Sequence, residues 1–460
     1  VSAQVVAERP SAGPPRPYEF PAFRRHRLSN GLTVITADLP GRPLVTANLV
    51  FRVGAADEPA ERAGATVLAA RALTEGTERY GAIELIEATE RLGASLHVES
   101  SWDALQATVD VPASRLARAL ALLAEVVEHP TFPEAEVERL REERLNDILQ
   151  ARADPRRRAD EAYIAAIYAP ESPYHRPAGG TTETVSRLDR DVLRRVYRRG
   201  FDPAGMTLVV AGDLGGQDVA AIAEDLMGSW APSAEAEAAT RPVDVAAAAG
   251  RHVRVVHRPG SVQSELRVGH VGAPRRIDDF HAVSVLAAIL GGLFNSRLNR
   301  KLREEKGYTY GAFAGFDLRR AAGPFTARAA VATEVTAPAV ADTLSQLELI
   351  RDEPVTAAEL SAARDFLIGV FPLRFETPGP VAAALSGLVI HGLPDDELAR
   401  YRSGIEAVTV DAVAAAARKR IRPDRLAVVM VGDADRVVPA LEEAGLVPLV
   451  IDRDEEPAAG

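Results

Sequence analysis

Cysteine is absent from the 460 residues, which removes disulfides, thiol nucleophiles and cysteine-ligated metal together. That absence suits a reducing compartment, and the expected location is cytoplasmic. An excess of positive charge is also missing: 54 Lys and Arg stand against 65 Asp and Glu, a formal net charge of −11. The chain as a whole therefore offers no field for nucleic-acid phosphates, and its densest basic stretch with aromatics, residues 194–201, reads as a solvated helix face. No uninterrupted apolar run approaches the ~18 residues of a membrane span; the longest, at 285–294, holds two glycines. Residues 1–20 carry four prolines and no apolar stretch, so they read as a flexible arm and not as a secretion signal. Neither nucleic acid nor membrane is expected as a partner. What remains, 47% hydrophobic and 26% charged, is the composition of a globular chain long enough for two or three domains.

The chain repeats itself. Residues 201–213, FDPAGMTLVVAGD, resemble residues 421–433, IRPDRLAVVMVGD, at an offset of 220. Val53-Gly54 pairs with Val271-Gly272 at 218, and the helix start at Phe132 pairs with Val355 at 223. Three landmarks in one order at nearly one offset predict two copies of a single unit. The expected division is an arm at 1–20, a first domain at 21–230, a linker at 231–250, rich in Ala, Pro and Glu, and a second domain at 251–455. Period-2 and continuous apolar patterns predict strands at 32–37, 45–53, 206–211, 251–257, 265–271, 325–332 and 426–431, with a hairpin pair over 96–111. Helical periods fall at 61–73, 83–92, 114–127, 134–151, 189–197, 280–290, 337–350, 357–370 and 410–419. Interleaved helices with hairpin-paired strands predict an α+β fold: two homologous domains, each a mixed, mostly antiparallel sheet packed with helices.

The most informative segment is 291–311, GGLFNSRLNRKLREEKGYTYG, in which Gly-Gly follows an apolar helix and a Gly-aromatic turn opens a strand. It lacks the third spaced glycine of a dinucleotide fingerprint. Taken alone, Arg303 and Tyr310 are surface residues. With its neighbours, however, the segment resembles the second-domain signature of the pitrilysin/insulinase peptidases in their short, two-domain form. Leu28-Ser-Asn-Gly-Leu-Thr-Val34, the strand and acidic turn Phe51-Arg-Val-Gly-Ala-Ala-Asp-Glu-Pro59, Leu92-Gly-Ala-Ser-Leu-His97, Tyr174-His175 and the 201–213 segment extend the resemblance over nearly the whole chain.

That resemblance implies a zinc motif, His-x-x-Glu-His, on the helix after the acidic turn. Two His at i and i+4 bind the metal, the Glu activates water, and a downstream acid completes the ligands. Anchored on Gly64 and Gly76-Thr77, the motif falls on Val67, Ala70 and Arg71, with the third ligand near Asp147. Valine and alanine have no ligand atom and a guanidinium has no lone pair to offer. None of the nine His is paired at i, i+4 on a helix, and His252 and His257, five apart on a strand, face opposite ways. The chain is therefore expected to hold no metal. The resemblance also implies that Arg303 and Tyr310 contact the scissile carbonyl and its neighbourhood, that Phe294, Asn295 and Ser296 line the same place, and that Gly93, Ala94, Ser95, Leu96 and His97 form either a peptide-docking edge or an ordinary core hairpin. The expected protein is a non-zinc subunit that supplies Arg303 and Tyr310 to a homologous partner carrying an intact His-x-x-Glu-His and the zinc, acting on unfolded peptides; the rival is a non-catalytic assembly or peptide-binding scaffold. Arg71 is expected either to pair with Asp147 or to point into solvent.

Overall fold

Two runs of residues with no charged break, Met206–Gly212 and Ala427–Gly432, are buried along their whole length and lie inside two separate sheets, as strands covered on both faces must. The computed structural model describes residues 13, 16–236, 245–247, 250–447 and 449–453. In the first half, β1 (Phe23–Arg27), β2 (Thr33–Asp38), β3 (Leu44–Phe51), β4 (Ser95–Ser100), β5 (Leu105–Pro112) and β6 (Met206–Gly212) form a sheet in the order β1-β2-β6-β3-β5-β4. In the second half, β7 (His252–His257), β8 (Gln263–Val271), β9 (Ala312–Phe316), β10 (Pro324–Ala332), β11 (Ala427–Gly432) and β12 (Leu449–Asp452) take the order β12-β7-β11-β8-β10-β9. Five positions correspond one to one. The sixth is filled by a strand that precedes the unit in one half and follows it in the other: β1 is antiparallel to β2, whereas β12 is parallel to β7. Both sheets are mixed, and the α+β architecture of two like units holds.

Each sheet buries one face against its own helices. The other face is covered by a helix from the opposite half, and both of these crossing helices fall where the sequence reading placed none. Helix Pro155–Ile167 lies on β8 and β11, packing Ala159, Ala162, Tyr163 and Ala166 on Val256, Val429 and Val431. Helix Pro378–His391 lies on β3 and β6, packing Val381, Ala382, Leu385 and Leu388 on Ile35, Ala37, Val209 and Ala211. The approach is close. A Cβ on Gly269 of β8 would stand 2.3 Å from the Tyr163 hydroxyl, which donates to the Phe325 carbonyl.

Polar contacts reinforce the exchange: Asn48 donates to Ser386 at 3.0 Å, Tyr168 to the Ala322 carbonyl at 2.9 Å, and Arg320 to Asp57 of the acidic turn at 2.8 Å. Residues 16–20 of the N-terminal segment are held too, with Phe20 edge-on to Phe375 at 5.0 Å and Arg402 donating to the Arg16 carbonyl at 3.0 Å. Half of the expected linker lies outside the described residues; its Ala247 forms an isolated bridge with Tyr168. The helical stretch Phe280–Glu305 has the length and hydropathy of a membrane span, but 67% of its apolar window is buried in the second half.

Candidate functional site

The helix that the zinc motif would occupy runs Ala65–Ala72. Gly64 caps it at φ 94°, where any Cβ would stand 2.7 Å from the Gly179 carbonyl oxygen. The Glu58 carboxylate closes its N-terminus by accepting from the Gly64 N–H at 2.9 Å and from the Thr66 N–H. Burial nevertheless outweighs those bonds and pushes the Glu58 carboxyl up to about 7.

Ala70 is buried, Val67 half-buried and Arg71 exposed. Arg71 does not reach Asp147. It donates to Glu143, one turn earlier on helix Glu134–Ala153, at 2.8 Å. Glu143 also accepts from Arg139 at 2.5 Å, and Arg139 returns to Glu75 at 2.6 Å, so Arg71, Glu143, Arg139 and Glu75 close a ring between the two segments. Asp147 is taken by Arg144 and by Arg157, the latter at 2.8 Å. Arg157 belongs to a crossing helix, which is why sequence spacing could not supply this partner.

In the second half, the helical stretch widens into π-type turns at Ala288–Gly292 and Arg300–Glu305, a distortion frequent at functional sites. The break between them is tied down from several sides. Ser296 is buried and accepts from the Asn299 N–H as a helix cap. Asn299 donates to the Leu293 carbonyl at 3.1 Å and accepts from the Ala312 N–H at 2.8 Å, fixing the break to the start of β9. Arg297, buried, makes a two-pronged pair with Glu359 at 2.7 and 3.0 Å. Burial opposes charge on Glu359, but Arg297 and the Thr356 N–H prevail and hold its carboxyl down to about 2.

On this frame Phe294 and Asn295 stand exposed, and the Arg303 guanidinium stacks on the Phe294 ring at 3.7 Å while donating to Glu304 at 2.9 Å. Thr309 and Gly311 bond to each other across a tight turn, and Tyr310 at its tip is 98% exposed. Phe294, Arg303 and Tyr310 line one open cavity of about 690 Å³. The structure thus brings together Arg303, Tyr310 and Phe294. Ser95, Leu96 and His97 lie on β4, the edge strand of the other sheet, with Gly93 and Ala94 just before it.

Two family models match in succession: one described as insulinase (peptidase family M16) over residues 33–178, and one described as the peptidase M16 inactive domain over 187–367. The chain belongs to the M16 (insulinase) peptidase family, in its two-domain form. Among its relatives, an uncharacterized zinc protease of Mycobacterium tuberculosis is 27% identical, with 89% of this chain and 93% of that protein covered. A non-peptidase homolog of Helicobacter pylori is 24% identical over 73% of this chain and 76% of its own length. Two solved structures share the fold: a peptidase M16 inactive domain from Pseudomonas fluorescens (24% identity, TM-score 0.82, 89% of this chain and 98% of that one) and a protease from Helicobacter pylori (18% identity, TM-score 0.84, 89% and 99%). An M16 zinc site does not fit the side chains found here, because Val67 and Ala70 present no ligand atom and Arg71 is committed to Glu143.

Several residues of the cavity escaped sequence reading. Arg156, Glu265, Arg267, Phe313 and Arg328 also line it. The available signal was an arginine at a register position of each of two central strands, Arg267 in β8 and Arg328 in β10. Sequence reading also missed a group of His257, Asp433 and Asp435, whose side chains lie within 4.8 Å of one another. These atoms are already spent: His257 accepts from the Ala434 N–H, Asp433 caps helix Ala434–Glu443, and Asp435 accepts from Arg453.

Proposed function

We propose that this chain is the non-zinc subunit of a heterodimeric M16 peptidase, holding unfolded peptides as strands and presenting Arg303 and Tyr310 to a scissile bond at the zinc site of a homologous partner. The observation that carries this reading is an asymmetry. The two metal-ligand positions hold Val67 and Arg71 and the base position holds Ala70, whereas Arg303 and Tyr310 line an open cavity, with Tyr310 98% exposed. Zinc on the partner, held by its His-x-x-Glu-His, would supply an activated water.

This chain's own residues would do the rest. Stacking on Phe294 keeps the Arg303 plane fixed, so that its N–H groups and the Tyr310 hydroxyl can donate to the carbonyl oxygen as negative charge develops there, a contribution of ~3 kcal/mol per donor. A peptide would be held by strand addition, which uses backbone hydrogen bonds and so tolerates many sequences. β4 and β9 are the edge strands at corresponding ends of the two sheets. A cytoplasmic location agrees with the absence of cysteine.

The scaffold reading has support in the name of the Helicobacter pylori relative, a non-peptidase homolog. Reconstitution separates the two. Mixed with a homologous chain bearing an intact His-x-x-Glu-His, this chain should give cleavage of an unfolded peptide that neither gives alone. The Arg303→Ala heterodimer should assemble normally by size-exclusion chromatography yet cleave far more slowly. Equal cleavage by parent and Arg303→Ala heterodimers would favour the scaffold.

A further inference from the structure

The cavity beside Arg303 and Tyr310 is the part of the second sheet's inner face that helix Pro155–Ile167 leaves uncovered, and its charge is lopsided. Register fixes the arrangement: Phe313 of β9 is paired with Arg328 of β10, and Arg328 with Arg267 of β8, so the three form one row on one face. Gly269, against which Tyr163 packs, lies on the same face two residues from Arg267. Arg267 is 1% exposed and fully occupied, donating to Asp160 at 2.5 Å, to Glu265 at 3.0 Å and to the Leu266 and Arg156 carbonyls.

That leaves Glu265, the cavity's one acidic lining residue among those described, already neutralised. Arg328 is different. It is exposed, lies over the Phe313 ring at 4.7 Å, and has no carboxylate partner among the described residues. Arg156, exposed at the start of the crossing helix, makes no salt bridge among them, although Asp154 feels its charge.

The matching place on the first sheet has the opposite character. His97 of β4 is paired with Thr108 and Thr108 with Asn48, and the same face continues through Glu99, Gln106 and Asp110, with Thr46 donating to Asp110 and Asn48 to Gln106 at 2.8 Å. One inner face is polar with acidic groups; the other presents two arginines that form no salt bridge among the described residues, next to the donor pair.

We propose that the cavity selects acidic peptides: a segment added along the outer edge of β9 past Ala312, whose N–H is taken by Asn299, places an Asp or Glu side chain against Arg328, with Arg156 reinforcing the field. Strands in a sheet lie about 4.8 Å apart, so an added residue opposite Phe313 is about 10 Å from the Arg328 backbone. The guanidinium lying over Phe313 and a Glu side chain reaching inward close that gap from its two ends. Arginine suits the task because its planar fork meets a carboxylate with two parallel bonds. The inference rests on the strand-holding part of the proposed function and adds to it the chemistry of the substrate.

Fluorescence anisotropy of the full chain with labelled, unstructured peptides that differ only in a central Glu, Gln or Lys tests it. Glu should bind about 10-fold more tightly than Gln, as one charge-assisted contact provides, with Lys the weakest. The Glu advantage should shrink as salt is raised, since the site is open. Arg328→Ala should bring the Glu/Gln ratio near 1, while Arg328→Lys keeps part of it. If the parent chain binds Glu and Gln peptides equally, or if Arg328→Ala retains the full margin, the acidic selectivity is wrong and strand holding stands. If none of the three peptides binds, strand holding itself fails and this inference with it.

Discussion

The two halves share a strand order, a matching edge strand and a borrowed helix, yet they spend their charged residues differently. In the first half, helix Ala65–Ala72 is a structural joint. Its Arg71 is tied through Glu143, Arg139 and Glu75 to the neighbouring helix, and each of these contacts joins side chains of the chain itself. In the second half, Ser296, Arg297 and Asn299 are buried and bonded so that Phe294, Arg303 and Tyr310 can stand at an open cavity. Polar groups that satisfy one another hold a fold together. Groups held in place but left open are available to something outside the chain. The cores beneath are equivalent, so the difference teaches that this fold keeps its stability apart from its chemistry.

The largest expected effect concerns the open half. In a reconstituted heterodimer, Arg303→Ala or Tyr310→Phe should lower kcat about 100-fold, the loss of one ~3 kcal/mol donor, whereas Arg71→Ala in the closed half should leave kcat unchanged. Steady-state kinetics on the three variants decide whether the halves divide the labour as argued. Next comes Arg267, buried in the second sheet: Arg267→Ala should cost ~3 kcal/mol of stability in chemical denaturation, because it strips the cation from Glu265 and Asp160. Asn48→Ala, in the same strand of the first sheet, should cost about 1 kcal/mol. Equal losses would erase the contrast between a buried charge and a neutral ladder.

Much of this was legible in the sequence, and the reasons are local. β5 alternates buried and half-buried residues along LQATVDVP, and β11 is apolar throughout; either pattern marks a strand. The 220-residue offset located the second copy because β6 and β11 occupy the same central place. The crossing helices were not legible. Helix Pro378–His391 opens Pro-Gly-Pro, which reads as a loop, and Pro155–Ile167 opens on a proline and three arginines, although Asp154 capping it was a usable signal. Those two helices determine which face of each sheet stays open, so the cavity's arginines could not be placed without them. The partner of Arg71 was missed for a related reason. Glu143 and Asp147 share one helix face at i and i+4, and what separates them is Arg157, which takes Asp147 from the unforeseen helix.

Smaller effects sharpen the comparison further. Arg71 and Glu143 are 43% and 44% exposed, so Arg71→Ala should cost less than ~1 kcal/mol and be additive with Asp147→Ala; coupling between those two would restore the pairing that the structure replaces. The carboxylates that cap a helix in each half should respond to pH with opposite sign. Glu58 is raised from 4.5 to about 7, so the folded state holds its proton more tightly; its contribution is full below pH 4.5 and lost as pH rises through about 7. Glu359 is lowered from 4.5 to about 2, so its contribution is present above pH 4.5 and lost as pH falls through about 2. Stability followed against pH should flatten in the upper window for Glu58→Gln and in the lower window for Glu359→Gln, and an exchange of windows would reverse the assignment.

The most direct measurement is zinc content together with peptide cleavage for the purified chain alone. Elemental analysis should find far less than one zinc per chain and no chelator-sensitive cleavage, because Val67, Ala70 and Arg71 stand where ligands and base are required. Near one zinc per chain, with cleavage abolished by a chelator and restored by zinc, would contradict the account at its centre.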